Sequence, residues 1–142
     1  MDDFKPFIED SVKINNTQLK NNGVNKNLEN FPVYSETINM IVQSDKYMSN
    51  FDGNHRIYSN EYRTACIEIL KLICSANSTS DKLKKVEIVE QALGQGDYLK
   101  IVVRIMFDLR LISQDVRNAI DYHLGSINSQ LCGWLKSVKE KL

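Results

Sequence analysis

The chain has 142 residues, 42% of them hydrophobic, and its 18 lysines and arginines balance its 18 aspartates and glutamates. This length predicts one domain with a sizeable core. The zero net charge means that bulk electrostatics do not require a nucleic-acid partner, so such a partner needs a local basic patch. No apolar run approaches the length of a membrane span, so we expect a cytoplasmic protein without a membrane partner.

Residues 1–30 differ in composition from the rest of the chain, because they contain seven asparagines and few large apolar residues. Phe4, Phe7, Ile8 and Val12 can form a short amphipathic stretch, and residues 15–30 read as linker or loop. We expect order here only if another surface holds the segment. The folded domain is therefore placed at residues 31–142.

Two helices are predicted in the first half of this domain, which carries no proline after Pro32. The first starts near Pro32, ends near Asn50, and has one apolar face made of Tyr34, Ile38, Ile41, Met48 and Val42. The Asp52-Gly53-Asn54 turn follows. Ser59 is the expected cap of the second helix, whose apolar seam is Tyr62, Cys66, Ile69, Ile73 and Ala76.

The third helix is expected to start near Asp81, with Leu83, Val86, Val89 and Leu93 on its buried face. Gly94 and Gly96 each cost about 1 kcal/mol relative to alanine inside a helix, and they predict a bend or a break. Residues 99–112 are apolar almost all round, which predicts burial on several sides.

A fourth helix is expected after Ser113, which can act as its cap. Its seam approaches a heptad repeat and consists of Val116, Ile120, Leu124, Ile127, Leu131, Leu135, Val138 and Leu142. Four amphipathic helices with short connections predict an all-α, up-down four-helix bundle.

A charged stripe interrupts the apolar second half of the third helix. Asp97, Lys100, Arg104 and Asp108 follow one another at steps of three, four and four. One interpretation is a solvated ladder in which Asp97 pairs with Lys100 and Arg104 with Asp108. The other is a surface for a phosphate backbone or an acidic protein.

A row of small residues marks the fourth helix, where Gly125, Ser129 and Gly133 recur at every fourth position before Trp134. Another helix backbone can approach such a row closely. The row is therefore interpreted as tight packing inside the bundle or as a subunit interface, and Trp134 can bury a large area in either case.

Catalytic and metal-binding patterns are weak in this chain. His55 and His123 are solitary in the sequence, and Gly94-Gln95-Gly96 lacks the strand and the third glycine of a phosphate-binding loop. The three cysteines lack CxxC spacing and are expected to be buried, reduced thiols. We therefore predict a protein that is not an enzyme, with no cofactor, metal or small-molecule substrate.

Four segments resemble a known family by their order and spacing: Phe31-Pro32-Val33-Tyr34, His55-Arg56-Ile57, Leu99 to Ser113, and Leu131-Cys132-Gly133-Trp134-Leu135-Lys136-Ser137. The family is that of the accessory variability determinant (Avd) proteins of diversity-generating retroelements, within a wider group that includes ribosomal-RNA intervening-sequence proteins. The resemblance implies a barrel-like homopentamer of four-helix bundles. It also implies a reverse transcriptase as partner and binding of template RNA or cDNA.

Carried over by residue, the resemblance implies a basic surface formed by Lys100, Arg104 and Arg56, with Arg63 as a weaker candidate. The alternative is a protein-interaction adaptor of the same fold that binds no nucleic acid, and the neutral net charge favours it.

Overall fold

Four antiparallel helices build the part of the chain that the computed structural model describes, residues 31–142. They are α1 (Pro32–Met48), α2 (Arg56–Ser78), α3 (Lys82–Asp108) and α4 (Gln114–Glu140). Each helix packs against two others, so that α1 and α3 both lie between α2 and α4. The predicted all-α four-helix bundle is confirmed, while the expectations for residues 1–30 lie outside the described residues.

The helix starts show which local signals operate. The Asp81 side chain accepts hydrogen bonds from the amides of Leu83 and Lys84 at 3.0 and 3.3 Å, and Ser113 accepts one from Val116 at 3.2 Å. These bonds satisfy amides that have no partner within the helix. Both predicted starts are therefore confirmed.

The start predicted for α2 at Ser59 is wrong. The helix begins three residues earlier, at Arg56, because Asp52 accepts a hydrogen bond from the His55 amide at 3.1 Å and closes the turn before it. Ser59 lies inside the helix, buried, and its hydroxyl donates to the Arg56 carbonyl at 3.1 Å.

The face predicted for α1 is only partly right, because Met48 is buried while Tyr34 and Ile41 pack half-buried against the core. The buried positions include Val33, Thr37, Met40 and Ser44, whereas Val42 is 58% exposed. Burying Thr37 and Ser44 costs little, because their hydroxyls donate to the carbonyls four residues earlier at 2.7 and 2.6 Å. The Tyr62 hydroxyl of α2 then donates to Ser44 at 2.8 Å, deep in the core.

The predicted seam of α2 is confirmed, since all five of its residues are buried, and most of the seam of α4 is buried too. In α4, Leu135 packs at the edge of the core, and Leu142 lies beyond the end of the helix and is exposed.

No break interrupts α3 at Gly94 and Gly96, because the helix is continuous from Lys82 to Asp108. Ala92 and Leu99 are buried on either side of the glycines, and their packing holds the helix together. The expected face is only partly buried, since Leu83 is exposed. The prediction that residues 99–112 are buried on several sides is also wrong, because Ile101 is 58% exposed.

The end of α3 is an arginine in an unusual conformation. Arg110 has φ of 62°, its amide donates to the Phe107 carbonyl, and the next amide, of Leu111, donates to the Met106 carbonyl, at 2.9 and 2.8 Å. This pair of bonds is the Schellman motif, in which glycine is usual at the left-handed position. The motif turns the chain into α4 within a few residues.

None of the four helices between residues 31 and 142 combines the length and apolarity that crossing a bilayer requires.

Candidate nucleic-acid interface

Lys100 and Arg104 lie on the edge of α3 that faces α4, and both are exposed. Arg104 Nε lies 3.5 Å from Asp108 Oδ2, so this half of the predicted ladder is present. The other half is absent, because Asp97 and Lys100 are not among the ion pairs of the described residues. Lys100 instead acts electrostatically on Asp121 of α4.

Arg117 of α4 adds a third cation to this edge, one that the sequence-based prediction missed. Its guanidinium lies 4.7 Å from the ring centroid of Phe107 in α3, and its Nε lies 3.5 Å from Asp121 Oδ2. Partial burial raises the pKa of Asp121, although Arg117 and Lys100 oppose that shift. We call Lys100, Arg104 and Arg117 the α3–α4 cation edge.

Arg56 and Arg63 belong to a different part of the surface. Arg63 Nε lies 3.1 Å from Asp45 Oδ1, and its Nη2 donates to the Ser49 hydroxyl at 3.3 Å, which ties α2 to α1. Arg56 lies seven residues earlier, two turns along the same side of α2. The four predicted basic residues are therefore divided between two edges of the bundle, and Arg63 is engaged within the protein.

An apolar stripe lies next to the cation edge on the solvent side of α3. Tyr98, Ile101, Ile105 and Leu109 follow one another at helical spacing, and all four are exposed. The Tyr98 hydroxyl donates to Glu61 of α2 at 2.5 Å, a bond that raises the pKa of Tyr98. We call these four residues the α3 outer stripe.

Ile57 extends this apolar surface onto α2. It lies one turn before Glu61 on the edge of α2 that faces α3, and it is 62% exposed. Clustered apolar side chains on a surface mark interaction sites more often than isolated ones do.

The small-residue row of α4 faces away from the core. Gly125, Ser129 and Gly133 are exposed, and a Cβ added to either glycine would meet no atom within 4 Å. The interpretation that this row packs inside the bundle is therefore wrong. The other interpretation, that the row forms a subunit interface, stays a prediction. Trp134 does pack inside, with its ring centroid 4.5 Å from that of Phe31.

A buried polar network, which the sequence-based prediction missed, joins α1 to α4. Nδ1 of His123, a fully buried residue, hydrogen-bonds to Oε2 of Glu36. The Ser126 hydroxyl donates to Oε1 of Glu36 at 3.2 Å, and the Gln130 amide donates to Ser126 at 3.0 Å. The spacing of His123 within the seam of α4 signals its burial, but nothing in the sequence identifies Glu36 as its partner.

This network is arranged to hold helices together. The Ser126 hydroxyl proton is directed to Glu36, whereas an activated serine would donate to the imidazole. His123 thus fits the structural role expected of it, although it is solitary only in the sequence.

The cysteines differ sharply in accessibility. Burial raises the pKa of Cys66 to about 12 and also raises the pKa of half-buried Cys74, while Cys132 is exposed. The expectation of three buried thiols is therefore wrong for Cys132. Within residues 31–142, no group of three or more His, Cys, Asp or Glu side chains is placed to hold a metal ion.

No protein-family model matches this chain, and a comparison with curated proteins finds no match either.

Proposed function

We propose that this protein is a non-enzymatic accessory subunit of a diversity-generating-retroelement reverse transcriptase. In this role it is a cytoplasmic, oligomeric scaffold that binds the enzyme and its template RNA or cDNA during mutagenic reverse transcription. The observation that carries the proposal is the outer surface of α3, where exposed cations lie beside an exposed apolar stripe. The resemblance of four segments to the Avd family supplies the identity of the partners.

The nucleic-acid half of the proposal rests on the α3–α4 cation edge. Lys100 forms no ion pair within residues 31–142 and interacts with Asp121 through space, so its ammonium can contact a phosphate without first breaking a salt bridge. Arg104 is weakly engaged, because an exposed pair at 3.5 Å contributes little to stability. Arg117 is more firmly held, between Phe107 and Asp121. Lys100 and Arg104 are therefore the proposed phosphate contacts.

The protein half rests on the α3 outer stripe together with Ile57. Protein interfaces have an apolar, aromatic centre with charges at the rim, and this surface has the same order, with Tyr98 and the isoleucines flanked by Lys100 and Arg104. The reverse transcriptase is the proposed occupant.

Assembly is a separate part of the proposal. The exposed row of Gly125, Ser129 and Gly133 offers a bare helix surface to another copy, and the resemblance implies five copies. Light scattering tests this part, because a stable monomer at micromolar concentration contradicts it.

Salt-titrated binding of a fluorescent single-stranded RNA of mixed sequence tests the nucleic-acid half. We expect Lys100→Ala with Arg104→Ala to weaken binding and to lower the log–log salt slope by about 0.7 for each phosphate contact removed. The fold should be unaffected, since both side chains are exposed.

The matched control is Lys84→Ala with Lys85→Ala, which removes the same charge from the far end of α3. This control should retain most of the affinity. If the two double variants lose affinity and slope equally, RNA binding is not located at the cation edge, and that half of the proposal is wrong.

A protein-interaction adaptor is the second candidate, and the ion pairs favour it. Arg63 pairs with Asp45 and Arg104 with Asp108, so much of the positive charge is neutralised within the chain. Capture of the reverse transcriptase after nuclease treatment separates the two candidates. Capture that persists, with no RNA binding by the isolated protein, identifies the adaptor.

A further inference from the structure

The carboxylate of Asp121 lies among the cations of the α3–α4 cation edge. Its Oδ2 is 3.5 Å from Nε of Arg117, one turn earlier on α4, and Lys100 of the neighbouring helix acts on it electrostatically. Two cations from two helices therefore act on one carboxylate. An RNA phosphate presents the same kind of charged oxygen, so the place of this carboxylate is one where a phosphate would be stabilised as well.

Arg117 is positioned independently of Asp121. Its guanidinium lies 4.7 Å from the ring centroid of Phe107 in α3, and a guanidinium over an aromatic ring is held by cation–π attraction and stacking. Loss of the carboxylate partner would therefore leave the guanidinium in place, ready to meet another anion.

The Asp121 carboxylate is held weakly for a group that has two cations beside it. Its side chain is 44% exposed, and exposed ion pairs contribute at most about 1 kcal/mol. Partial burial raises the pKa of Asp121, and the two cations only oppose that rise. Rotation between staggered χ1 conformations moves the carboxylate away from Arg117 without any change in the helix.

Asp108 differs from Asp121, although it also pairs with a cation of this edge. It lies 3.5 Å from Arg104 on the same helix, and both of these side chains are largely exposed. Asp121 is the carboxylate on which cations from both α3 and α4 act. It is therefore the one whose departure would free positive charge on both sides of the edge.

We propose that Asp121 is an internal competitor for phosphate at the cation edge. When RNA binds, one phosphate takes the place of the Asp121 carboxylate beside Lys100 and Arg117, and the aspartate side chain turns to solvent. Arg117 then becomes a further phosphate contact, available only once Asp121 has left. The competition rests on the proposed function, since it requires RNA binding at this edge.

Asp121→Asn tests the competition, because the amide has nearly the shape of the carboxylate but no charge. We expect it to raise the affinity for a fluorescent single-stranded RNA of mixed sequence by about 2–5-fold at constant salt, which corresponds to one exposed ion pair that no longer has to be displaced. Urea denaturation checks that the fold is retained.

Glu140→Gln is the matched control, because it removes one negative charge from the exposed far end of the same helix. Nineteen positions separate Glu140 from Asp121, about 28 Å along a helix. This distance exceeds the screening length of about 8 Å at physiological ionic strength. The control should therefore leave the affinity nearly unchanged.

The gain must also depend on Arg117. In an Arg117→Gln background, Asp121→Asn should gain less affinity, because one of the two cations that the carboxylate occupies is gone. Arg117→Gln should likewise cost more affinity in the Asp121→Asn chain than in the parent chain. An Arg63→Gln background alters another edge of the bundle and should leave the gain intact.

Two results would overturn the competition alone: a gain no larger than that of Glu140→Gln, or a gain that is the same in the Arg117→Gln background. In either case the proposed function stands if Lys100→Ala with Arg104→Ala still weakens binding to the otherwise unaltered chain.

The failure of the proposed function gives a different pattern. If neither the parent chain nor Asp121→Asn binds the RNA, or if Lys100→Ala with Arg104→Ala leaves binding unchanged, nucleic-acid binding at this edge is wrong and the competition with it. Binding that appears only in Asp121→Asn would support both. If Asp121→Asn is not stably folded, Asp121→Ser replaces it, with the same expectation.

Discussion

Two regions of the bundle differ from the usual pattern of apolar core and polar surface. The seam between α1 and α4 has polar groups inside, and the outer surface of α3 has apolar groups in solvent. The seam buries an imidazole and partly buries a carboxylate, His123 with Glu36, and joins them to Ser126 and Gln130. The outer surface of α3 leaves Ile101 and its stripe neighbours in solvent. The polar groups of the seam have hydrogen-bond partners, whereas the isoleucines of the stripe are not covered by any described residue.

The difference separates stability from interaction. Buried polar groups are costly to leave without a partner, so substitutions in the seam should destabilise the fold. Exposed apolar side chains contribute little to the folded monomer, so substitutions in the α3 outer stripe should leave the fold intact. The comparison fails if the two regions respond alike.

The largest effect is expected at the seam. His123→Ala should lower the free energy of unfolding by about 2–4 kcal/mol, since it opens a cavity and leaves Glu36 without its imidazole partner. Urea denaturation measures the change. His55→Ala is the control, because His55 lies at the surface, and should cost far less. A loss under 1 kcal/mol for His123→Ala, on the order of an average point substitution, would show that the seam is not specially held.

Substitutions in the glycine row, on the outside of the bundle, should increase stability, whereas His123→Ala should decrease it. Gly125→Ala with Gly133→Ala should stabilise the isolated subunit by about 1–2 kcal/mol in total, because alanine favours helix and the added Cβ atoms meet nothing. Gly94→Ala is the control in α3, since its Cβ also has open space.

Assembly distinguishes the two sets of glycines. If the row packs between subunits, Gly125→Ala with Gly133→Ala should reduce the mass measured by light scattering, whereas Gly94→Ala should not. An unchanged mass together with a higher melting temperature would remove the row from the interface.

A smaller gain in the free energy of unfolding is expected from a substitution at the end of α3. Arg110→Gly should raise the free energy of unfolding by about 0.5–1 kcal/mol, because glycine adopts the left-handed conformation without the steric cost that arginine bears. Urea denaturation at constant salt checks this. If stability falls instead, the Arg110 side chain contributes more to the fold than its backbone conformation costs.

The smallest effect is a dependence on pH at the turn before α2. A hydrogen bond from His55 lowers the pKa of Asp52 below its ordinary value of 3.8. A lowered carboxyl pKa stabilises the fold above the ordinary value, and this contribution is lost as the pH falls through the folded-state pKa. Asp52→Asn should therefore flatten the acid side of the curve of melting temperature against pH. Asp97→Asn is the control and should leave its shape unchanged.

The sequence predicts the fold well because helix signals are local. Asp81 and Ser113 act as caps through bonds to amides two or three residues away, and the regular spacing from Val116 to Leu131 identifies the buried side of α4. In α1 the same reasoning identifies only part of the buried face. Thr37 and Ser44 satisfy their own hydroxyls locally, so polarity does not report burial there.

The candidate site is harder to predict because it depends on which helices are neighbours. Spacing places Lys100 and Arg104 on one side of α3, but only the packed bundle brings Arg117 beside them and puts Arg56 on another edge. The partner of His123 lies 87 positions away in the chain. Long-range placement of this kind has no local signal.

The most direct test of the separation between fold and interaction is a pair of measurements on Ile101→Ser with Ile105→Ser. We expect the free energy of unfolding to stay within about 0.5 kcal/mol of the parent, while nuclease-resistant capture of the reverse transcriptase weakens by about 10-fold or more. Ile69→Ser, in the core, is the control that should fail to fold stably. Strong destabilisation by the α3 substitutions with undiminished capture would contradict the account.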